Sequence, residues 1–167
     1  MNFSFYFAIP FLVITLVVNG QVLFEETNDQ FVQQIENTYQ KGVDILAKTQ
    51  NDQGSWDDST YGSNPGVVGM SILAFLARGD DPEFGTYRTS ITKALTFLLK
   101  LQDKKTGYIG SSMYNHGFAT LALAEIYGRT NIQGIGPALE KATRLIISSQ
   151  KNNPKGAWRY SLSLIHI

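Results

Sequence analysis

The sequence predicts an all-α fold in which two kinds of helix alternate and stack in two layers. Three observations predict it. A Gln, a polar turn, a Gly and an aromatic residue recur three times along the 167-residue chain. The segments between these turns place apolar residues at steps of three and four, the period of a helix. Those segments differ in polarity: some keep a wet face and some are apolar all round.

The turn is the first element to justify, because an internal period decides the architecture. Its copies are Gln50, Gly54 and Trp56; Gln102, Gly107 and Tyr108; and Gln150, Gly156 and Trp158. The Gln-to-Gln steps are 52 and 48 residues. One copy would carry little weight, since Gly and Trp are common in loops. Three in register mark a repeat. A carboxamide donates and accepts at once, so each Gln can tie a helix C-terminus to the turn that follows. The ring gives that tie an apolar lid, and Gly permits positive φ and close approach. Recurrence of the ring in every copy favours this staple over carbohydrate or cation binding by Trp56, Tyr108 and Trp158.

The helices follow from the pattern between turns. Residues 31–50 put Phe31, Ile35, Tyr39, Gly42 and Leu46 on one face. Residues 89–102 do the same with Ile91, Ala94, Leu95 and Leu98, and residues 136–150 with Ala138, Ala142, Leu145 and Ser149. These are wet-faced helices. Residues 67–77 and 117–127 have no polar face, so they are expected to be buried on every side. Both are too short to span a bilayer. Asn64 then Pro65 reads as a cap followed by a first-turn proline, and Pro137 opens a later helix the same way. Gly79 and Gly128 fall where a left-handed residue ends a helix. Wet-faced helices outside and apolar ones inside make an α/α toroid, present as an incomplete arc of three outer and two inner helices. The unequal polarity argues against a solenoid of two similar helices.

The Gln50, Gly54, Trp56 element resembles the QW motif of squalene and oxidosqualene cyclases. Pro65-Gly66-Val67-Val68-Gly69-Met70 and the apolar helix after it are similar to their repeat. Tyr114-Asn115-His116-Gly117-Phe118, continuing to Gly128, is most similar to exported bacterial proteins described as prenyltransferase and squalene oxidase repeat proteins. The resemblance covers residues 31–161. It implies a terpenoid cyclase and prenyltransferase type of toroid, acting as a ligand- or partner-binding scaffold without catalysis of its own over these residues. The alternative it implies is a cyclase, prenyltransferase or polysaccharide-active enzyme whose catalytic residues lie beyond them. The Asp-x-Asp-Asp acid of cyclases has no match here. Prenyltransferase zinc sites and complement-type thioesters need Cys, and the chain has 0 Cys. No metal site and no cofactor are therefore expected.

Composition narrows partners further. Lys+Arg and Asp+Glu both number 14, so no basic face argues for nucleic acid. A small hydrophobic molecule, a saccharide or a protein partner remains. The binding candidates are His116, Tyr114 and Asn115, with Tyr61, placed at one mouth of the inner barrel. There His116 could act as a general base or hold a ligand; capping the helix or packing under the loop is the structural alternative. Asp57-Asp58 and Asp80-Asp81 read as solvated turn acids. Glu125, the one charge in an apolar segment, needs a partner or water.

Residues 1–20 are nearly all apolar from Phe3 to Val18, with small residues at Val18 and Gly20. They are expected to be an export signal or an N-terminal membrane anchor, although the basic start of a signal is missing. The protein is accordingly expected to be exported: periplasmic, secreted or membrane-anchored. Residues 21–30 read as a linker and 31–161 as the partial toroid. Leu162-Ser163-Leu164-Ile165-His166-Ile167 equals the translation of CTG TCT CTT ATA CAC ATC, the mosaic end of a transposase sequencing adapter. Residues 162–167 are expected to be adapter-derived, with the natural protein running on past Ser161 and His166 without function.

Overall fold

The computed structural model describes residues 29–57, 60 and 62–160. The export segment, most of the linker, Asp58, Tyr61 and the adapter-like tail lie outside them. Among the described residues the chain is all-helical: α1 Asp29–Thr49, α2 Pro65–Ala77, α3 Arg88–Leu101, α4 Met113–Ile126 and α5 Ile135–Lys151. No helix among them is long and apolar enough to cross a membrane. Asp29 and Gln30, expected in a linker, already belong to α1.

The apolar helices α2 and α4 pack on each other most extensively. Glycine and other small residues allow it. A Cβ on Gly69 would lie 2.6 Å from the Phe118 carbonyl oxygen, so the two backbones nearly touch. The wet-faced helices flank this pair: α3 and α1 pack on α2, and α5 packs on α4. The core fills the space between, with Ile72, Phe75, Leu95, Leu98, Ile109 and Leu123 shut off from solvent. The stripe Ile91, Ala94, Leu95, Leu98 of α3 is buried as its period requires.

Helix starts obey local chemistry. The Asn64 side chain accepts from the Gly66 and Val67 N–H groups at 2.8 and 3.3 Å, ahead of Pro65. Helix α4 begins four residues before the expected 117, because the Ser112 hydroxyl accepts from the Asn115 N–H at 3.2 Å and caps an earlier turn. Gly79 and Gly128 hold φ of 92° and 82° after α2 and α4.

Three expectations fail. Apolar α2 and α4 are not buried on every side: Met70, Tyr114, Phe118 and Leu121 are exposed. Helix α1 also leaves Phe31 and Ile35 of its apolar stripe in solvent, touching the rest through Val43, Tyr39 and Leu46. Periodicity tells which face wants cover; it does not supply the cover. Asp80 departs too. It is half-buried, one carboxylate oxygen has no hydrogen-bond partner, and burial raises its pKa against the pull of Arg78. Asp57, by contrast, is exposed and accepts from Asn51 and Ser63, which lower its pKa in that order of importance Ser63 then Asn51. Glu125 is exposed, so water solvates its charge.

Candidate functional site

The repeated turns become joints between helices. Gln50 Nε2 donates to its own turn at the Gly54 carbonyl, 3.2 Å, and to Ser90 in the first turn of α3, 2.9 Å. Gln102 Nε2 repeats this, to Gly107 at 3.0 Å and to Ala138 in the first turn of α5 at 2.8 Å. Gln150 Nε2 donates to Gly156 at 3.1 Å. The tie therefore reaches the next wet-faced helix as well as the turn. The Gly explains how that helix can come so close. A Cβ on Gly54, at φ 92°, would lie 2.3 Å from the Lys93 carbonyl oxygen; one on Gly107, at φ 80°, would lie 2.7 Å from the Lys141 Cβ.

The tryptophans add a bond that the sequence pattern did not disclose. Trp56 Nε1–H donates to the Leu46 carbonyl at 2.8 Å, and Trp158 Nε1–H to Ile146 at 3.0 Å. Each acceptor sits four residues before the motif Gln, in the C-terminal part of its helix, and the Leu46 carbonyl also accepts from the Gln50 N–H at 3.2 Å. Trp56 is buried, whereas Trp158 is half-exposed. Tyr108, in the second copy, makes no such bond: its hydroxyl is buried with no partner.

In the middle joint His116 takes over. The Ser112 cap sets α4 so that successive first-turn residues point roughly 100° apart. His116 turns inward and is fully buried. The Ile109 N–H donates to Nδ1 at 3.2 Å, which leaves Nε2 protonated and donating to the Ala142 carbonyl at 3.1 Å. Tyr108 lies against the imidazole, ring centroids 5.3 Å apart. Burial lowers the His116 pKa, opposed by the Ala142 carbonyl. Of the two readings of His116, a ligand at an open mouth or a residue packed under the loop, its enclosure matches the second, with both nitrogens committed to linking turn, α4 and α5.

Asn115 turns toward α2, where a Cβ on Gly66 would meet its Oδ1 at 2.9 Å. Tyr114 turns outward and is exposed. Its ring lies 5.7 Å from that of Tyr160, and the Met113 N–H donates to the Tyr160 carbonyl at 2.8 Å. These residues, with Gly117, Ile146, Trp158 and Arg159, line a cleft of about 450 Å³. Of the sequence candidates the structure thus brings Tyr114 to an open cleft, sends Asn115 into a helix contact, buries His116, and does not describe Tyr61. The cleft offers stacking faces and one guanidinium, suited to holding a ligand.

A second polar cluster has no motif in the sequence. Tyr87 is buried at the start of α3; its hydroxyl donates to Asp44 Oδ1 at 2.6 Å and accepts from Gln40 at 2.5 Å, with Arg78 5.7 Å over the ring. Burial, then the Asp44 bond, raises the Tyr87 pKa, so the phenol keeps its proton. These residues are spread over more than forty positions of sequence and share no motif. Among the described residues no group of three or more His, Cys, Asp or Glu could hold a metal ion. The chain matches no family model, no curated protein and no solved structure.

Proposed function

We propose that this chain is an arc of an α/α toroid of the squalene cyclase and prenyltransferase type, exported, and that it works as a binding scaffold. What supports the reading is the recurrence of one joint: a Gln amide bridging its own Gly carbonyl and the next wet-faced helix, at Gln50 and again at Gln102. Such a joint spends its polar groups on architecture. His116, the one described residue suited to acid–base work near neutral pH, is likewise spent on it. The residue that reaches the cleft is Tyr114, in company with Trp158 and Tyr160, and aromatic walls bind isoprenoid chains or sugar faces.

The test is titration of the full chain with farnesyl diphosphate, and separately with cellohexaose, followed by tryptophan emission and by product analysis. Saturable binding of either, lost in Tyr114→Ala and without product, supports the scaffold. Product above a no-protein control would replace it with an enzyme, and no response to either probe would refute the cleft as a ligand site.

A further inference from the structure

The three joints are tied by different chemistry. At the first and third, an indole N–H makes the bond beside the motif Gln, from Trp56 to Leu46 and from Trp158 to Ile146. An indole is a donor only and does not titrate near neutral pH. At the middle joint Tyr108 stands in that place, and the tie is made by the imidazole of His116, which does titrate there.

The two ring bonds respond oppositely to a proton. Nδ1 accepts from the Ile109 N–H at 3.2 Å, so a proton on Nδ1 would set two donors face to face. Nε2–H donates to the Ala142 carbonyl at 3.1 Å, and it stays a donor, a stronger one, when the ring is charged. His116 and Ile109 are both fully buried, so the cation would also be cut off from water. Among the described residues no buried carboxylate offsets it. The turn carries Asp103, Lys104 and Lys105, α3 ends with Lys100, α4 carries Glu125, and α5 carries Glu140, Lys141, Arg144 and Lys151; all are exposed, as are Arg159 and Tyr160. Glu140 is engaged by Arg144 at 3.0 and 2.7 Å, and Lys141 donates to the Lys104 carbonyl. Helix α2, packed on α4, has no charged residue. Tyr108, against the imidazole, keeps its phenolic proton because burial raises its pKa.

We infer that His116 is an acid-operated latch: a proton taken up at Nδ1 ends the Ile109 bond and lets the 103–112 turn lift from α4, while Nε2–H keeps the imidazole on α5. The proton enters from solvent during brief openings of the turn, when the ring meets water. Opening uncovers Ile109 and the Tyr108 ring, so this edge of the core is shut at neutral pH and opens in acid. The sign follows from burial, which holds the closed ring below its ordinary 6.5: above 6.5 the latch is at full strength, and it weakens as pH falls below that value. The inference goes beyond the scaffold reading and uses neither the cleft nor export, so it would stand if the cleft bound neither probe.

The experiment is hydrogen exchange of the Ile109 amide in the full chain, read by NMR from pH 7.5 to 5.5 and corrected for the intrinsic rate. The Leu95 and Leu98 amides of α3 are the references. Ile109 should exchange through a local opening: less protected than the references, and nearly indifferent to dilute urea, which favours only openings that expose much surface. Its protection should fall about tenfold over the window, because the open ring titrates near 6.5 and the closed ring below it. In His116→Gln, which keeps a donor and an acceptor without titrating, the fall should vanish. Ile109 protection equal to that of Leu95 and Leu98 and equally sensitive to urea would overturn the latch, since the turn would then open only with the whole fold. Protection that does not change with pH would overturn it too, as would a fall that persists in His116→Gln. The first two outcomes are read on the parent alone, so they decide the matter even where the variant does not fold.

Discussion

Gln102→Ala and Gln150→Ala are the same substitution in the same motif, yet they should differ severalfold in cost. Gln102 is 6% exposed and its amide makes two bonds, at 3.0 and 2.8 Å. Each is worth about 1 kcal/mol net, and stranding a buried carbonyl adds about 1 kcal/mol or more, so the loss is about 3 kcal/mol. Gln150 makes one exposed bond at 3.1 Å, and its removal should cost about 0.5 kcal/mol. In urea the midpoint for Gln102→Ala should fall sharply with an unchanged slope, and the melting temperature should drop by roughly 6–12 °C against 1–2 °C for Gln150→Ala. Gln102→Glu separates hydrogen bonding from volume: it keeps the shape but turns an acceptor toward two carbonyls, and should be at least as harmful. Equal losses at 102 and 150, or a harmless Gln102→Glu, would refute the joint as the source of stability.

Other outcomes follow from the same geometry. Gly107→Ala should destabilise by about 2–4 kcal/mol in urea melts, because a Cβ meets Lys141 and φ is positive; Gly156→Ala, with open space, should cost only about 1 kcal/mol. Trp56→Phe should lose about 1 kcal/mol through the bond to Leu46, and Trp158→Phe less, since its bond is exposed. His116 has a folded pKa below its ordinary 6.5, so the unfolded chain binds the proton more readily. Its contribution is full above 6.5 and is lost as pH falls below that value, well above the range where carboxylates titrate. Urea midpoints taken from pH 7.5 down to about 5 should decline in the parent, and the slope over that window should flatten in His116→Gln.

Much of this was legible beforehand because it depends on neighbours in sequence. Wet-faced and apolar segments, the Asn64 cap, and left-handed Gly79 and Gly128 follow from helical period and backbone sterics, which act over a few residues. So does the recurrence of Gln, Gly and an aromatic. What the repeat reaches for was not legible. Gln50 finds Ser90 forty residues on and Gln102 finds Ala138 thirty-six on, and only packing chooses those carbonyls. The same holds for His116. Its place at the start of an apolar helix allowed a mouth or a packed position under the loop, and the Ser112 cap sets α4 so that the imidazole faces Ile109 and Ala142. Tyr87, Asp44 and Gln40 share no spacing at all and meet because α1 and α3 flank α2. The sequence alone determined which segments are helices, which faces are apolar and where the chain turns. Tertiary structure decided which polar groups are spent on joints and which edges stay open, because a side chain's partner depends on the rotation and approach of whole helices.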